Sequence, residues 1–162
     1  MENAKKEKAV KRLYSSKMKK YKLPSLEEIQ KELKISVLNL EPDKNLILIS
    51  LRGEISNILR TITRDIEMIV SGSDTYCCNI ERREFTKEDR ISLFETYAKM
   101  QQLYWEGRIA FLEEEEDVAK WINKFFKLWK TEFKKKFIWY TKKMHKSWVD
   151  IKNRETELKY VG

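Results

Sequence analysis

Turn-forming residues are scarce in this chain of 162 residues, with four glycines and two prolines. A many-stranded sheet needs many tight turns, so the shortage argues against one and for long helices joined by few connections. Cysteine occurs only as the adjacent pair Cys77 and Cys78. The pair supplies neither a disulfide framework nor a zinc site, its role is left open, and a reducing, intracellular compartment is the simplest reading. No run approaches the roughly 18 apolar residues of a membrane span, and the first residues lack the apolar core of a signal peptide. The expected location is the cytoplasm. His145 is the single histidine, without an identifiable acid–base partner or a second histidine for a metal. A phosphate-cradling glycine loop and a nucleophile motif are also missing. No enzyme, cofactor or metal site is expected. Glutamine is scarce while 37% of the residues are charged, a balance that leans towards a thermophilic source.

What the chain has in abundance is lysine, and it is segregated. Residues 1–22 carry nine bases against two acids, and residues 118–149 carry ten against one, whereas residues 23–117 carry 20 acids against 12 bases. The net charge of +8 therefore conceals two basic segments attached to an acidic middle. Such segregation suits binding to a polyanion or docking of surfaces of opposite sign.

The stretch from Val118 to Val149 dominates. It holds four of the five tryptophans and a single acid, Glu132. Val118, Ile122, Phe125, Trp129, Phe133, Phe137, Tyr140, Met144 and Trp148 recur at steps of three and four, which places a broad apolar stripe on one helix face and the lysines on the others. The predicted basic helix runs over residues 118–160. Upstream, residues 4–21 read as a helix with a narrow stripe (Val10, Tyr14, Met18, Tyr21), thin enough for its outer end to fray. Ser25 followed by Glu28 is a capping box, opening a helical face of Leu26, Ile29, Leu33, Val37 and Leu40 that stops near Pro42. Residues 43–70 are the expected core helix, although Asn45–Leu51 alone reads equally as a short strand. Ser71-Gly72-Ser73 is its stop. Residues 71–85 form the longest irregular stretch. Thr86 with Asp89 then caps a helix over 87–112, and Glu113 to Asp117 mark a break or bend that sets the acids at the electropositive start of the next helix, with an unbroken helix as the alternative.

Lysines can neutralise phosphates while aromatic rings stack on bases. The candidate nucleic-acid contacts are Lys124, Lys127, Lys134, Lys135, Lys142, Lys143 and Lys146 with Trp139, joined by Lys17 and Lys20 of the first basic segment. Arginine, the better bidentate reader, is absent from residues 118–149, so contact should be to the backbone and insensitive to sequence, for DNA and RNA alike. Most aromatics fall on the stripe and should be buried. Trp139 and Trp121 lie nearer its edge and are the expected exposed contacts. A basic amphipathic helix can also lie on an anionic membrane, but neighbouring helices suffice to bury this one, and a membrane-surface role is not expected.

Glu54-Ile55-Ser56-Asn57-Ile58-Leu59-Arg60-Thr61-Ile62-Thr63-Arg64-Asp65-Ile66, followed after a loop by Phe85-Thr86-Lys87-Glu88-Asp89 and a helix carrying Tyr97, resembles the helical domain of GINS subunits, the scaffold of the replicative helicase. The resemblance covers about residues 26–112. It implies a scaffolding role in DNA replication, other protein subunits as partners, no catalytic residues, and Arg60 and Arg64 as structural or interface groups. Trp121 joins them as a candidate protein-interface residue. The expected architecture is all-α, a single-domain bundle of about five helices over 1–162 ending in the long amphipathic helix. An oligomer is compatible with it.

Overall fold

The computed structural model describes residues 2–71 and 76–153. The fold is all-α, with no strand among the described residues. Among the described residues seven α-helices follow in order: α1 (Glu2–Tyr21), α2 (Leu26–Leu33), α3 (Ile47–Val70), α4 (Tyr76–Arg83), α5 (Lys87–Leu112), α6 (Glu115–Leu128) and α7 (Lys134–Asn153). A 3-10 turn at Val37–Asn39 precedes α3, and a π-helical turn at Trp129–Phe133 joins α6 to α7. The chain packs as two compact units. The first comprises Met1–Thr61 with Gln101–Trp129, and the second Ile62–Met100 with Lys130–Gly162. Helices α3 and α5 each contribute to both.

In the first unit, α1 packs against α2, the 3-10 turn and α6. Tyr14 is buried and donates its hydroxyl proton to the Pro24 carbonyl at 2.8 Å. Burial pushes that hydroxyl well above the ordinary tyrosine pKa. The Ser25 hydroxyl accepts from the Glu28 N–H at 3.1 Å, as the capping box requires. Helix α2 is shorter than its apolar period suggests. Lys34 adopts a left-handed conformation (φ 57°) and ends it, and Ser36 starts the 3-10 turn by accepting from the Leu38 N–H. Ile35, Val37 and Leu40 are nonetheless buried. The periodic pattern thus reports a shared core face, not an unbroken helix.

Asp43 resolves the ambiguity at Asn45–Leu51. Its carboxylate accepts from the N–H groups of Asn45 (2.7 Å) and Leu46 (3.1 Å), satisfying donors at a helix start. Ile47, Leu48, Leu51 and Ile55 then lie on one buried helical face, and burying each is worth about 1.5–3 kcal/mol. Helix wins over strand. At the other contested point the chain breaks after Leu112, with Glu115, Glu116 and Asp117 in the first turn of α6, where the helix dipole favours acids.

In the second unit α4 packs against α7. Residues 71–85 were expected to be irregular, yet Tyr76–Arg83 is helical. Eight residues make a marginal helix alone, and this one is held by its neighbour: Trp148 Nε1 donates to Glu81 at 2.8 Å. The start of α5 carries a reciprocal capping box, Thr86 N–H to the Asp89 carboxylate (3.0 Å) and Asp89 N–H to Thr86 Oγ1 (3.1 Å). Phe85 packs edge-on against Trp139 with centroids 5.8 Å apart, and Tyr140 donates to the Asp65 carbonyl at 2.9 Å. The described helical run extends from Glu115 to Asn153, and Val118, Ile122, Phe125, Trp129, Phe133 and Tyr140 of its stripe are buried. Residues 154–160 of the expected helix, Gly72-Ser73 of the expected stop, and the side chains of Cys77 and Cys78 lie outside the described residues.

Candidate functional site

Most of the lysines that the sequence nominates are already held by acids. Lys17 is buried and hydrogen-bonds Glu115, which also accepts from Tyr21 Oη at 2.6 Å and lies 3.9 Å from Lys20. Burial alone would raise the Glu115 pKa, but the hydrogen bonds from Lys17 and Tyr21 outweigh it and hold the carboxyl below its usual value. Lys124 pairs with Glu106 at 2.6 Å, Lys146 with Glu84 at 3.1 Å, and Lys143 with Asp89. The hydrogen bond from Lys143 draws the Asp89 pKa down. Lys127 and Lys134 also have partners, whereas Lys135 and Lys142 are exposed. For Lys17, Lys124, Lys143 and Lys146 a phosphate would have to displace a carboxylate.

The two tryptophans expected at the stripe's edge differ from that expectation. Trp121 is only 4% exposed, with its indole N–H bonded to the Leu103 carbonyl at 2.8 Å and its ring stacked on Phe125. It is a core residue of the first unit, and its ring packs against Gly107 of α5 where a Cβ would otherwise lie. Trp139 is half-buried against Phe85, with the ammonium groups of Lys136 and Lys143 at 4.5 and 5.2 Å from its ring centroid.

A different constellation is open to a ligand. Within the first unit, α3 and α5 line a cleft of about 590 Å³. Helix α3 supplies Arg52, Gly53, Ser56, Asn57 and Arg60. Positions 52, 56 and 60 are four apart and so share one face. Helix α5 supplies Tyr104, Trp105, Arg108, Ile109, Phe111 and Leu112. Three lining residues are arginines and none is acidic. The Arg52 guanidinium sits 4.7 Å from the Phe111 ring centroid, and one of its amino groups reaches the Gly107 carbonyl at 3.4 Å. Its Nε and the Ser56 Oγ are buried without a hydrogen-bond partner. Burial, followed by the like charge of Arg108, lowers the Arg52 pKa. Trp105 stands 60% exposed, edge-on to Tyr104 with centroids 5.6 Å apart.

No family model, curated protein or solved structure matches the chain.

The cleft's chemistry is that of an anion receptor. Guanidinium groups give charge-assisted, bidentate hydrogen bonds to phosphate or carboxylate oxygens, and the aromatic rim offers flat apolar surface. Arg60, nominated in the sequence as a structural or interface group, lines this cleft. Arg64 is exposed on α3 and is not among the lining residues. Arg52, Trp105 and Arg108 were missed. The available signal was the Arg52–Ser56–Arg60 spacing, masked by the much denser lysine pattern of residues 118–149. Among the described residues no group of three His, Cys, Asp or Glu side chains could hold a metal, and no helix is long and apolar enough to cross a membrane.

Proposed function

We propose that this chain is a non-enzymatic, cytoplasmic nucleic-acid-binding protein that serves a nucleic-acid-processing assembly and grips its ligand through the phosphate backbone. One observation carries the reading: the α3–α5 cleft of the first unit gathers Arg52, Arg60 and Arg108 with no acidic side chain lining it. Lys17, Lys124, Lys143 and Lys146 are each paired with an acid. Phosphate contacts made this way fix the ligand without reading its sequence.

The test is fluorescence polarisation of labelled oligonucleotides across a sodium chloride series. Affinity should fall linearly on a log–log plot, with a slope near −0.7 per phosphate neutralised on a single strand. Absence of binding at low salt rules the reading out.

A second reading, a scaffold subunit of the GINS type in DNA replication, draws support from α5. Leu93, Met100, Leu103 and Ala110 are buried, yet Ile91, Phe94, Trp105, Ile109 and Leu112 of the same helix are exposed. Large apolar side chains left on the outside of a helix suit a protein partner. Crosslinking in native extract should then yield a defined heteromeric product that Leu112→Glu abolishes. A product insensitive to that change removes α5 as the docking helix.

A further inference from the structure

The chemistry of the α3–α5 cleft of the first unit narrows its ligand further. A bare anion site needs only charge, but here the arginines are interleaved with aromatic rings. Phe111 backs the Arg52 guanidinium, and Trp105 stands largely exposed three positions before Arg108 on α5. The Nε of Arg52 and the Oγ of Ser56 are buried without a hydrogen-bond partner, and both residues line the cleft. Ser56 is only 8% exposed and lies on the same α3 face as the two arginines.

We infer that this cleft binds single-stranded nucleic acid in preference to duplex, with phosphates on Arg52, Arg60 and Arg108 and one base stacked on Trp105. The inference rests on the nucleic-acid reading proposed above and specifies the strand state and the residues. Arg52 and Arg60 are eight positions apart on α3, about 12 Å along the axis at roughly 1.5 Å per residue. That span reaches more than one phosphate of the same strand. Every base presents a π-face, so stacking on an exposed indole tolerates any sequence. In a duplex those faces are covered by neighbouring base pairs, and Trp105 gains nothing. An acidic peptide without aromatic residues could satisfy the arginines, but it has no flat ring to lay on the tryptophan.

The full chain is titrated against a fluorescein-labelled oligothymidylate, the same strand annealed to its complement, and labelled polyglutamate, each over a sodium chloride series. The single strand should bind about tenfold more tightly than the duplex, and Trp105→Ala should erase that difference while leaving the salt slope unchanged. Arg108→Gln, at an exposed position, should reduce the single-strand slope by about 0.7. Far-UV circular dichroism of both variants establishes that they are folded. Equal binding of strand and duplex, with a slope unmoved by Arg108→Gln, overturns the cleft assignment while leaving backbone binding by other basic residues in place. Polyglutamate binding as tight as the oligonucleotide and insensitive to Trp105→Ala replaces the nucleic acid with an acidic protein segment and overturns the inference. No binding of either nucleic acid at low salt overturns both the inference and the reading beneath it.

Discussion

Gly107→Ala is the substitution whose effect the packing fixes most sharply. A Cβ built at Gly107 lies 2.6 Å from both Cε2 and Cζ2 of Trp121 and 3.0 Å from its Nε1. The indole cannot swing away cheaply, since it is 4% exposed, stacked on Phe125 with centroids 6.0 Å apart, and tied to the Leu103 carbonyl. Overpacking of this kind costs about 1–3 kcal/mol, and displacing the indole adds about 1 kcal/mol for the lost hydrogen bond. Against this, alanine gains about 1 kcal/mol over glycine within a helix. The balance is a net loss of about 1–3 kcal/mol. Gly53, on α3, is the internal control, because its Cβ would meet nothing within 4 Å. Gly53→Ala should therefore stabilise by about 1 kcal/mol through helix propensity alone. Each kcal/mol moves Tm by about 2–4 °C at this chain length. Thermal unfolding followed at 222 nm should show Gly107→Ala melting several degrees below the parent and Gly53→Ala a few degrees above it. A Gly107→Ala variant melting at or above the parent would refute the reasoning.

Glu115→Gln removes the charge that faces buried Lys17. It should cost about 1–3 kcal/mol in urea unfolding at neutral pH, whereas an unchanged midpoint would show that the pair contributes nothing net. Glu115 and Asp89 both titrate below their ordinary values in the folded chain. The stability they contribute is therefore complete above their unfolded pKa values of about 4 and is lost as pH falls through the lower folded ones. A Glu115→Gln/Asp89→Asn variant should show a flatter acid limb of stability against pH than the parent, and parallel limbs would contradict this. Thr86→Ala deletes the hydroxyl that accepts from the Asp89 N–H, at an expected cost of about 1 kcal/mol, read from denaturant midpoints. Lys135→Gln with Lys142→Gln, both exposed on α7, should leave the salt slope of single-strand binding almost unchanged. A reduction of 1 or more for the pair would move the site to α7.

Helix spacing and capping chemistry carried much of the fold legibly. Thr86–Asp89 and Ser25–Glu28 cap where their spacing says they should, and the stripe from Val118 to Phe133 is buried. Local signals were weaker where tertiary contacts decide. Helix α4 depends on Trp148 and α7, more than 60 residues away. The left-handed Lys34 interrupts an apolar period that stays in phase because Val37 and Leu40 reach the same core from a 3-10 turn. The site was harder still. Lysine density marked α7 as the ligand surface, but density says nothing about pairing, and Glu84, Asp89 and Glu106 answer Lys146, Lys143 and Lys124. Conversely, Arg52 and Arg108 are 56 positions apart, and only the packing of α3 beside α5 makes them one acid-free cleft. The edge position inferred for Trp121 failed because the missing side chain of Gly107 lets the indole sink into the core.

The measurement that bears most directly on the arginine cleft as the ligand site is photocrosslinking of the full chain to a labelled single-stranded oligonucleotide, with the adduct mapped by peptide mass spectrometry. Adducts should fall on α5 at Tyr104 or Trp105 and disappear when Arg52 and Arg108 are both replaced by glutamine. Adducts confined to Trp139 or Trp148 of α7 would place the ligand on the lysine-rich helix and contradict the assignment.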